Sequence, residues 1–122
     1  MIDLDQLTQD VIDLIKNSVD VRVKAGWIGS DDSIPLVTVL VNGHIISPIY
    51  SPFQIARYEV GFQIDVWHNT MKEADQVANQ IIQAFVNALP TKCWYALRYR
   101  IRDIQEEGAF RKMIDLSFKV IG

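Results

Sequence analysis

The stretch Arg57–Leu89, RYEVGFQIDVWHNTMKEADQVANQIIQAFVNAL, decides the fold because it joins a strand pattern directly to a helix pattern. From Arg57 to Val66 apolar and polar side chains alternate, which predicts a strand with one buried face and one wetter face. The buried set is Tyr58, Val60, Phe62, Ile64 and Val66, and the wetter set is Arg57, Glu59, Gly61, Gln63 and Asp65.

After Trp67 the spacing of apolar residues changes to three and four, which predicts an amphipathic helix. Its stripe consists of Ala74, Val77, Ala78, Ile81, Ile82, Phe85 and Leu89. Thr70 and Glu73 have the spacing of a capping box, in which each residue bonds to the backbone N–H of the other. Pro90 has no N–H to donate and disfavours helical geometry at the residue before it, so it predicts a helix end at Leu89.

The composition is that of one ordinary globular domain. The chain has 122 residues, 49% of them hydrophobic and 22% charged. A net charge of −3 weighs against a strongly basic nucleic-acid binder. With one cysteine no intrachain disulfide can form, no run of residues is apolar enough to span a bilayer, and the acidic, amphipathic start is unlike a signal peptide. These features predict a cytosolic protein.

The rest of the chain divides into short periodic segments separated by Gly, Pro and Asp. In chain order they are a helix over Ile2–Ser18, a strand over Val19–Lys24, a loop over Ala25–Ser33, a buried strand over Leu36–Val41, a hairpin turn at Asn42-Gly43 with a return strand over His44–Ile46, an extended arm over Ser47–Ala56, and strands over Cys93–Ile104 and Phe110–Val120. The last two strands are joined by a short polar turn and are expected to pair as a hairpin. The predicted class is α+β, with a mainly antiparallel β-sheet and two α-helices packed on one face.

Few patterns in the sequence indicate catalysis. His68 stands near Asp65, and such a pair could act as a base or bind a metal, although a polar turn residue is the more common role. Cys93 has no histidine near it in sequence, which favours a small, half-buried structural position over a nucleophile. Asp31 and Asp32 with Asp20 could be imagined as a cation site, but loop solvation fits them better. We therefore predict no catalytic residue, no cofactor and no metal site.

The most pronounced charge feature is a set of arginines at alternate positions of the predicted strand after the central helix. They are Arg98, Arg100 and Arg102, called here the arginine row. Tyr95 and Tyr99 are expected on the opposite face of that strand. The row could pair across a subunit boundary with acidic residues, or it could be a solvated face with cross-strand partners such as Asp115. The acidic candidates are Glu59, Asp65, Glu106 and Glu107. A phosphate-binding strip is a third alternative, disfavoured by the negative net charge.

Several large apolar residues lie in loops rich in Gly and Pro, where no periodic element buries them. They are Trp27, Ile49, Tyr50 and Phe53. Such residues often anchor an interface, and the equal alternative is that they fold back over the edge of the core.

Two segments resemble the small phage tail-completion and tail-terminator proteins. The segment RYEVGFQIDVWHNTMKEADQVANQIIQAF resembles the middle of that family, where a strand ending in a QIDVW-like run passes through a short polar turn into an EA…A..I helix. The ending GAFRKMIDLSFKV resembles the family's final strand. The N-terminal helix, the valine strand and the PLVTV run fall in the expected order.

The resemblance implies a single tail-terminator-like domain over residues 1–122, without enzymatic activity. Members form rings, usually hexameric, at the head-proximal end of the tail tube, where they stop tube polymerisation and present a surface for head joining. The implied partners are other copies of the chain, the tail tube protein and the head–tail connector protein, with no membrane and no sequence-specific nucleic acid. The implied location is the host cytoplasm during assembly and then the virion tail. The alternative is a small dimeric α+β binding or regulatory module without catalysis; an enzyme using His68 and Asp65 ranks third.

A ring requires two different patches on each subunit that meet head to tail. The mixed charges of the sheet and the apolar loop residues are the candidates for these patches. The predicted interface residues are Trp27, Ile49, Tyr50, Phe53, Glu59, Asp65, Arg98, Arg100 and Arg102.

Overall fold

The computed structural model describes residues 3–29, 32–41, 47–49, 57–106 and 108–121. Over these residues two helices and six strands form an α+β fold, as predicted. In chain order they are α1 (Leu4–Lys16), β1 (Arg22–Ala25), β2 (Leu36–Val41), β3 (Ser47–Ile49), β4 (Arg57–His68), α2 (Met71–Lys92), β5 (Tyr95–Glu106) and β6 (Ala109–Ile121). The predicted turn at Asn42-Gly43 and the return strand His44–Ile46 lie outside the described residues.

The sheet has the strand order β1-β2-β4-β6-β5, with β3 beside β4. β1 and β2 are parallel, and every other pair is antiparallel. β4 pairs with β6 along its whole length, from Arg57 opposite Ile121 to His68 opposite Phe110. The stretch that joins the strand and helix patterns in the sequence therefore supplies the central strand and the longer helix.

The prediction of an unpacked arm over Ser47–Ala56 is wrong for its first three residues. They form β3, in which Ser47 is the partner of Glu59 and Ile49 the partner of Arg57. β3 lies on the same edge of β4 as β2 and runs in the same direction, because both are antiparallel to β4. Pro48 is compatible with this strand because β3 has a partner strand on one side only within the described residues.

Both helices pack on one face of the sheet, where they bury the predicted stripes. Asp3 caps α1 by accepting from the Gln6 N–H at 3.1 Å, and Thr70 caps α2 by accepting from the Glu73 N–H at 3.2 Å. The capping box is completed differently from the prediction, because the Glu73 carboxylate accepts from the Thr70 hydroxyl. The core lies between the helices and the sheet and includes Val11, Ile15, Val37, Val39, Val60, Phe62, Ile64, Ile81, Phe85, Trp94, Ile114, Leu116 and Phe118.

The predicted end of α2 at Leu89 is wrong. The helix continues through Pro90 to Lys92 and ends at Cys93, which is left-handed with φ of 58°. Pro90 lacks one intrahelical donor and its ring crowds the carbonyl four residues earlier, but only two helical residues follow it, so these effects are confined to the end of the helix. The Leu89 carbonyl accepts from the N–H groups of both Cys93 and Trp94, which closes the helix end. Cys93 is exposed, whereas the sequence predicted a half-buried position.

A β-bulge at the start of β5 changes which face Tyr95 occupies. The register shifts between Tyr95, the partner of Lys119, and Arg98, the partner of Ser117. Ala96 takes up the extra residue with φ of 55°. Tyr95 is therefore at a register position on the face of the arginine row, and the prediction that placed it on the opposite face is wrong.

Candidate interaction surface

The arginine row lies on the face of the sheet that points away from the helices, called here the outer face. Arg98, Arg100 and Arg102 are the partners of Ser117, Asp115 and Met113 on β6. β5 is an outermost strand, since β6 is its only partner strand within the described residues. The side chains of Arg98 and Arg102 are 74% and 57% exposed, so the row is surface at one end of the sheet.

Two of the three arginines form ion pairs within the chain. Arg98 Nη2 lies 2.8 Å from Glu59 Oε1, and Arg102 Nη2 lies 3.4 Å from Asp115 Oδ2. Exposed pairs of this kind contribute up to about 1 kcal/mol each. The cross-strand interpretation is thus confirmed for Asp115. Arg100 has no ion pair among the described residues.

Asp65 is not part of this surface, and its prediction as an interface residue is wrong. Its side chain is 1% exposed, and Oδ1 accepts from Arg111 Nε at 3.0 Å. Gln63 Nε2 donates to the other oxygen, Oδ2, at 2.9 Å. The acid is therefore neutralised by β6 of its own chain, not by a second subunit.

Asp65 belongs to a second buried group, on the outer face, whereas the alternation in the sequence predicts Asp65 on the wetter side of its strand. We call it the outer cluster; it comprises Leu36, Thr38, Asp65, Trp67, Arg111 and Met113. The Arg111 guanidinium carbon stands 4.8 Å from the centre of the Trp67 ring. Trp67 Nε1 donates to Thr38 Oγ1 at 3.3 Å. The outer face is therefore buried at the β2 end and charged at the β5 end.

The structure does not bring His68 and Asp65 together. They project to opposite faces of β4, since His68 is the partner of Phe110 and Asp65 the partner of Met113. His68 Nδ1 lies 3.0 Å from Glu73 Oε2, at the start of α2. The described part of the chain also contains no group of three potential metal ligands.

Trp27 is exposed, so it does not fold back over the core. Its accessible fraction is 64%, the highest of the large hydrophobic side chains in the described residues. The Gly26 N–H still donates to the Val39 carbonyl at 2.9 Å. Trp27 therefore comes directly after the residue that makes the last backbone hydrogen bond between β1 and β2. It lies at the opposite edge of the sheet from the arginine row.

Asp32 fixes the loop that carries Trp27. Its carboxylate pairs with Arg22 Nη2 at 2.8 Å and with Lys24 Nζ, and accepts from the Gly29 N–H at 2.6 Å. The hydrogen bonds from Lys24 and Gly29, assisted by the charge of Arg22, lower the pKa of Asp32 to about 2. Because these donors already occupy the carboxylate, Asp32 serves as a loop clamp. Asp31, its neighbour in the imagined cation site, lies outside the described residues.

A third exposed region was not expected from the sequence. Tyr99 and Ile101 of β5 are 51% and 37% exposed, and Val86 of α2 is 43% exposed. We call these three residues the β5 edge patch. By register Tyr99 and Ile101 lie on the helix side of the sheet, opposite Leu116 and Ile114. Alternation predicts this face to be core, but Tyr99 and Ile101 lie on an outermost strand and remain exposed.

Lys112 links α2 to β5 beneath this patch. Its ammonium pairs with Asp75 of α2 and, at 2.6 Å, with Asp103 of β5. Burial lowers the pKa of Lys112, but the hydrogen bonds to the two aspartates outweigh burial and raise the pKa above its ordinary value. Val86 follows Asp75 by three turns on the same helix face, which places it on the β5 side of α2.

The remaining predicted interface residues are only partly described. Ile49 is the last residue of β3, whereas Tyr50 and Phe53 lie outside the described residues. Glu59 lies on the outer face of β4 beside Arg98.

No protein-family model matches the chain, and a search of curated proteins found no match either. No helix in the described part of the chain is long and apolar enough to cross a membrane.

Proposed function

We propose that the chain is a non-catalytic structural subunit of a phage or prophage tail. In this role it assembles into a closed ring that caps the tail tube, ends tube polymerisation and offers a surface for head joining. The partners are other copies of the chain, in a hexamer, together with the tail tube protein and the head–tail connector protein. The resemblance of Arg57–Phe85 and Gly108–Val120 to tail-terminator proteins motivates this role.

The observation that carries the proposal is the presence of unlike exposed apolar patches at the two outermost strands. Trp27 is 64% exposed beside β1, and the β5 edge patch is exposed at the other end of the sheet. A ring requires such an arrangement, because each subunit must offer one surface to the neighbour before it and a different one to the neighbour after it.

The alternative, a two-fold dimeric binding module, fits the same strand less well. If β5 paired with its own copy about Arg100, Arg98 would lie opposite Arg102 of the other copy and Arg100 would face its counterpart. Like charges directly opposite one another destabilise an antiparallel pair. The arginine row thus disfavours a symmetric β5–β5 contact and favours a partner surface of different composition.

The test is inactivation of the gene in the phage or prophage that carries it. We expect overlong tail tubes without heads in electron micrographs, and a return to normal length when the wild-type gene is supplied. A Gln80→Ala gene is the matched control and should restore normal length equally well. Gln80 is exposed on α2 and lies about 120° around the helix from Val86. Normal tails and full infectivity after inactivation would refute the proposal.

A further inference from the structure

We infer that the ring contact joins the β1 edge of one copy to the β5 edge of the next, with Trp27 seated against Tyr99 and Ile101. This inference rests on the proposed ring function and specifies its interface. The exposed large hydrophobic side chains of the described residues are Trp27, Val86, Tyr99 and Ile101. All four lie at these two edges, so one contact would cover every one of them.

The register of the sheet places the end of β1, which Trp27 follows, at the height of Ile101. Following partners from strand to strand, Ala25 is level with Val39, Ile64, Ile114 and finally Ile101. Trp27 comes two residues after Ala25, beyond Gly26, whose φ of 94° follows the end of the strand. A rotation about an axis along the strands, without a shift along that axis, therefore brings the end of β1, which carries Trp27, level with Ile101.

This match in height has a consequence for assembly. A heterologous contact closes into a ring when the operation relating neighbours is a pure rotation, and it grows into an open helical filament when the rotation does not close. Because the two edges are level, subunits can be joined by rotation alone, without the shift that would produce a filament.

The strand directions also suit this contact. β1 is parallel to β2, and three successive antiparallel pairs lead from β2 to β5, so β1 and β5 run in opposite directions. With the helices of both copies on the same side, the β1 edge would meet the β5 edge as an antiparallel pair. Within the described residues both outermost strands have an edge without a partner strand, and antiparallel pairing satisfies such backbone groups well.

The main charges of the two edges lie on opposite faces of the sheet. Residues 3–20, which form α1 and the segment after it, contain five aspartates and one lysine, and α1 packs against β1. The opposite edge carries the arginine row, in which Arg100 has no ion pair among the described residues. The basic side chains near Trp27, Arg22 and Lys24, are already paired with Asp32. The acidic α1 lies on the helix side and the arginine row on the outer face, where Lys24 of β1 is level with Arg102 of β5, each already paired with a carboxylate of its own chain. Apolar contact and backbone pairing, and not opposite charges, would therefore hold the two edges together.

Trp27 has the properties of an interface anchor. Tryptophan is the residue most enriched at energetic hot spots, and its ring packs well against another aromatic ring such as that of Tyr99. The Asp32 clamp holds its loop in place before contact, which reduces the entropy lost on binding.

Two variants test this directly, one at each edge: Trp27→Ala, and the double substitution Tyr99→Ala with Ile101→Ala. All three side chains are exposed, so both variants should fold, which circular dichroism verifies. Light scattering after size exclusion, at concentrations up to about 1 mM, measures self-association. We expect wild type and the Gln80→Ala control to reach six times the chain mass of 14.0 kDa. Loss of a hot spot should weaken self-association of each variant about 30-fold or more.

Mixing the two variants distinguishes a head-to-tail contact from a symmetric one. The Trp27 variant retains an intact β5 edge patch and the double variant retains Trp27, so a mixture should form a species of two chains and nothing larger. A mixture that associates no more than either variant alone would overturn the inference, as would variants that assemble like wild type.

The inference and the proposed function can fail separately. If wild type forms rings and the variants form them equally well, the ring stands and this interface is wrong. If wild type shows no association at about 1 mM, the interface is likewise wrong, and overlong tails after gene inactivation would still support the proposed function. If the variants behave as expected but gene inactivation leaves tails normal, the proposed interface is supported and the proposed tail function is refuted.

Discussion

Replacing Asp65 by alanine is expected to destabilise the fold far more than replacing Glu59 by alanine, although both carboxylates lie on the outer face of β4. The Asp65 side chain is 1% exposed, and its partner Arg111 is 15% exposed. Glu59 pairs instead with Arg98, whose side chain is 74% exposed. The two substitutions remove the same type of interaction from one strand, so they differ mainly in burial.

The expected magnitudes follow from that burial. Removing one member of a buried ion pair costs about 3–5 kcal/mol, because the remaining group keeps the cost of its burial and loses the attraction that offset it. Arg111 is held over the Trp67 ring, which restricts its movement toward solvent, and Gln63 also loses its acceptor. For Glu59 the loss is at most about 1 kcal/mol, because Arg98 returns to water. The total free energy of unfolding of a domain of this kind is about 5–15 kcal/mol.

Urea unfolding followed by tryptophan fluorescence measures the difference, since Trp67 and Trp94 are buried. The free energy of unfolding falls with urea concentration with a slope of about 2 kcal/mol per molar. The unfolding midpoint of the Asp65 variant should therefore lie roughly 2 M below that of wild type, and the midpoint of the Glu59 variant less than about 0.5 M below it. The slope itself should stay constant. If the midpoints of the two variants agreed within about 0.5 M, burial of the Asp65–Arg111 pair would not be the source of its stabilisation.

Three further predictions concern single groups. Tyr95 Oη is enclosed without a hydrogen-bond partner, so Tyr95→Phe should leave stability unchanged or raise it by up to about 1 kcal/mol in urea unfolding, and a loss larger than that would contradict the assignment. The pKa of Asp32 is lowered, first by its hydrogen bond to Lys24, so the stability that ionised Asp32 contributes is present above pH 3.8 and is lost as the pH falls toward about 2. The NMR chemical shift of the Gly29 amide should therefore titrate near pH 2, and a midpoint near 3.8 would refute the clamp. The pKa of Lys112 is raised, so its contribution is complete below pH 10.5 and lost as the pH rises through the higher folded value; Lys112→Met should lower the melting temperature at neutral pH, and the deficit should shrink above pH 10.5, whereas a deficit independent of pH would argue for lost packing alone.

The element pattern was predictable wherever one periodicity dominates. Leu36–Val41 has the predicted bounds, and α2 begins after Thr70 as the capping box indicates. The end of α2 was mispredicted, because the effect of Pro90 depends on how near the helix end it lies and on which N–H groups reach the Leu89 carbonyl. The bulge at Ala96 was not predictable, since alanine gives no signal for positive φ.

The candidate surface was predictable only in part. The surface position of the arginine row follows from local sequence, whereas the exposure of Trp27 was one of two equal alternatives. The burial of Asp65 does not, because alternation within one strand cannot reveal Arg111 on a strand that is distant in sequence. The exposure of Tyr99 and Ile101 was missed for a related reason, since an apolar face at an outermost strand has the same pattern as one in the core.

The central position of β4 has a consequence for how the molecule opens. Its amides face β6 along one edge, and the other edge is occupied by β2 and β3 over most of its length. Both faces are also covered near Ile64–Trp67, by the core on one side and the outer cluster on the other. Amide protons there should exchange with solvent only when the whole domain unfolds, whereas those of β1 and β5 should exchange through local fraying. The hydrogen-exchange rate of the β4 amides would thus report the global free energy of unfolding.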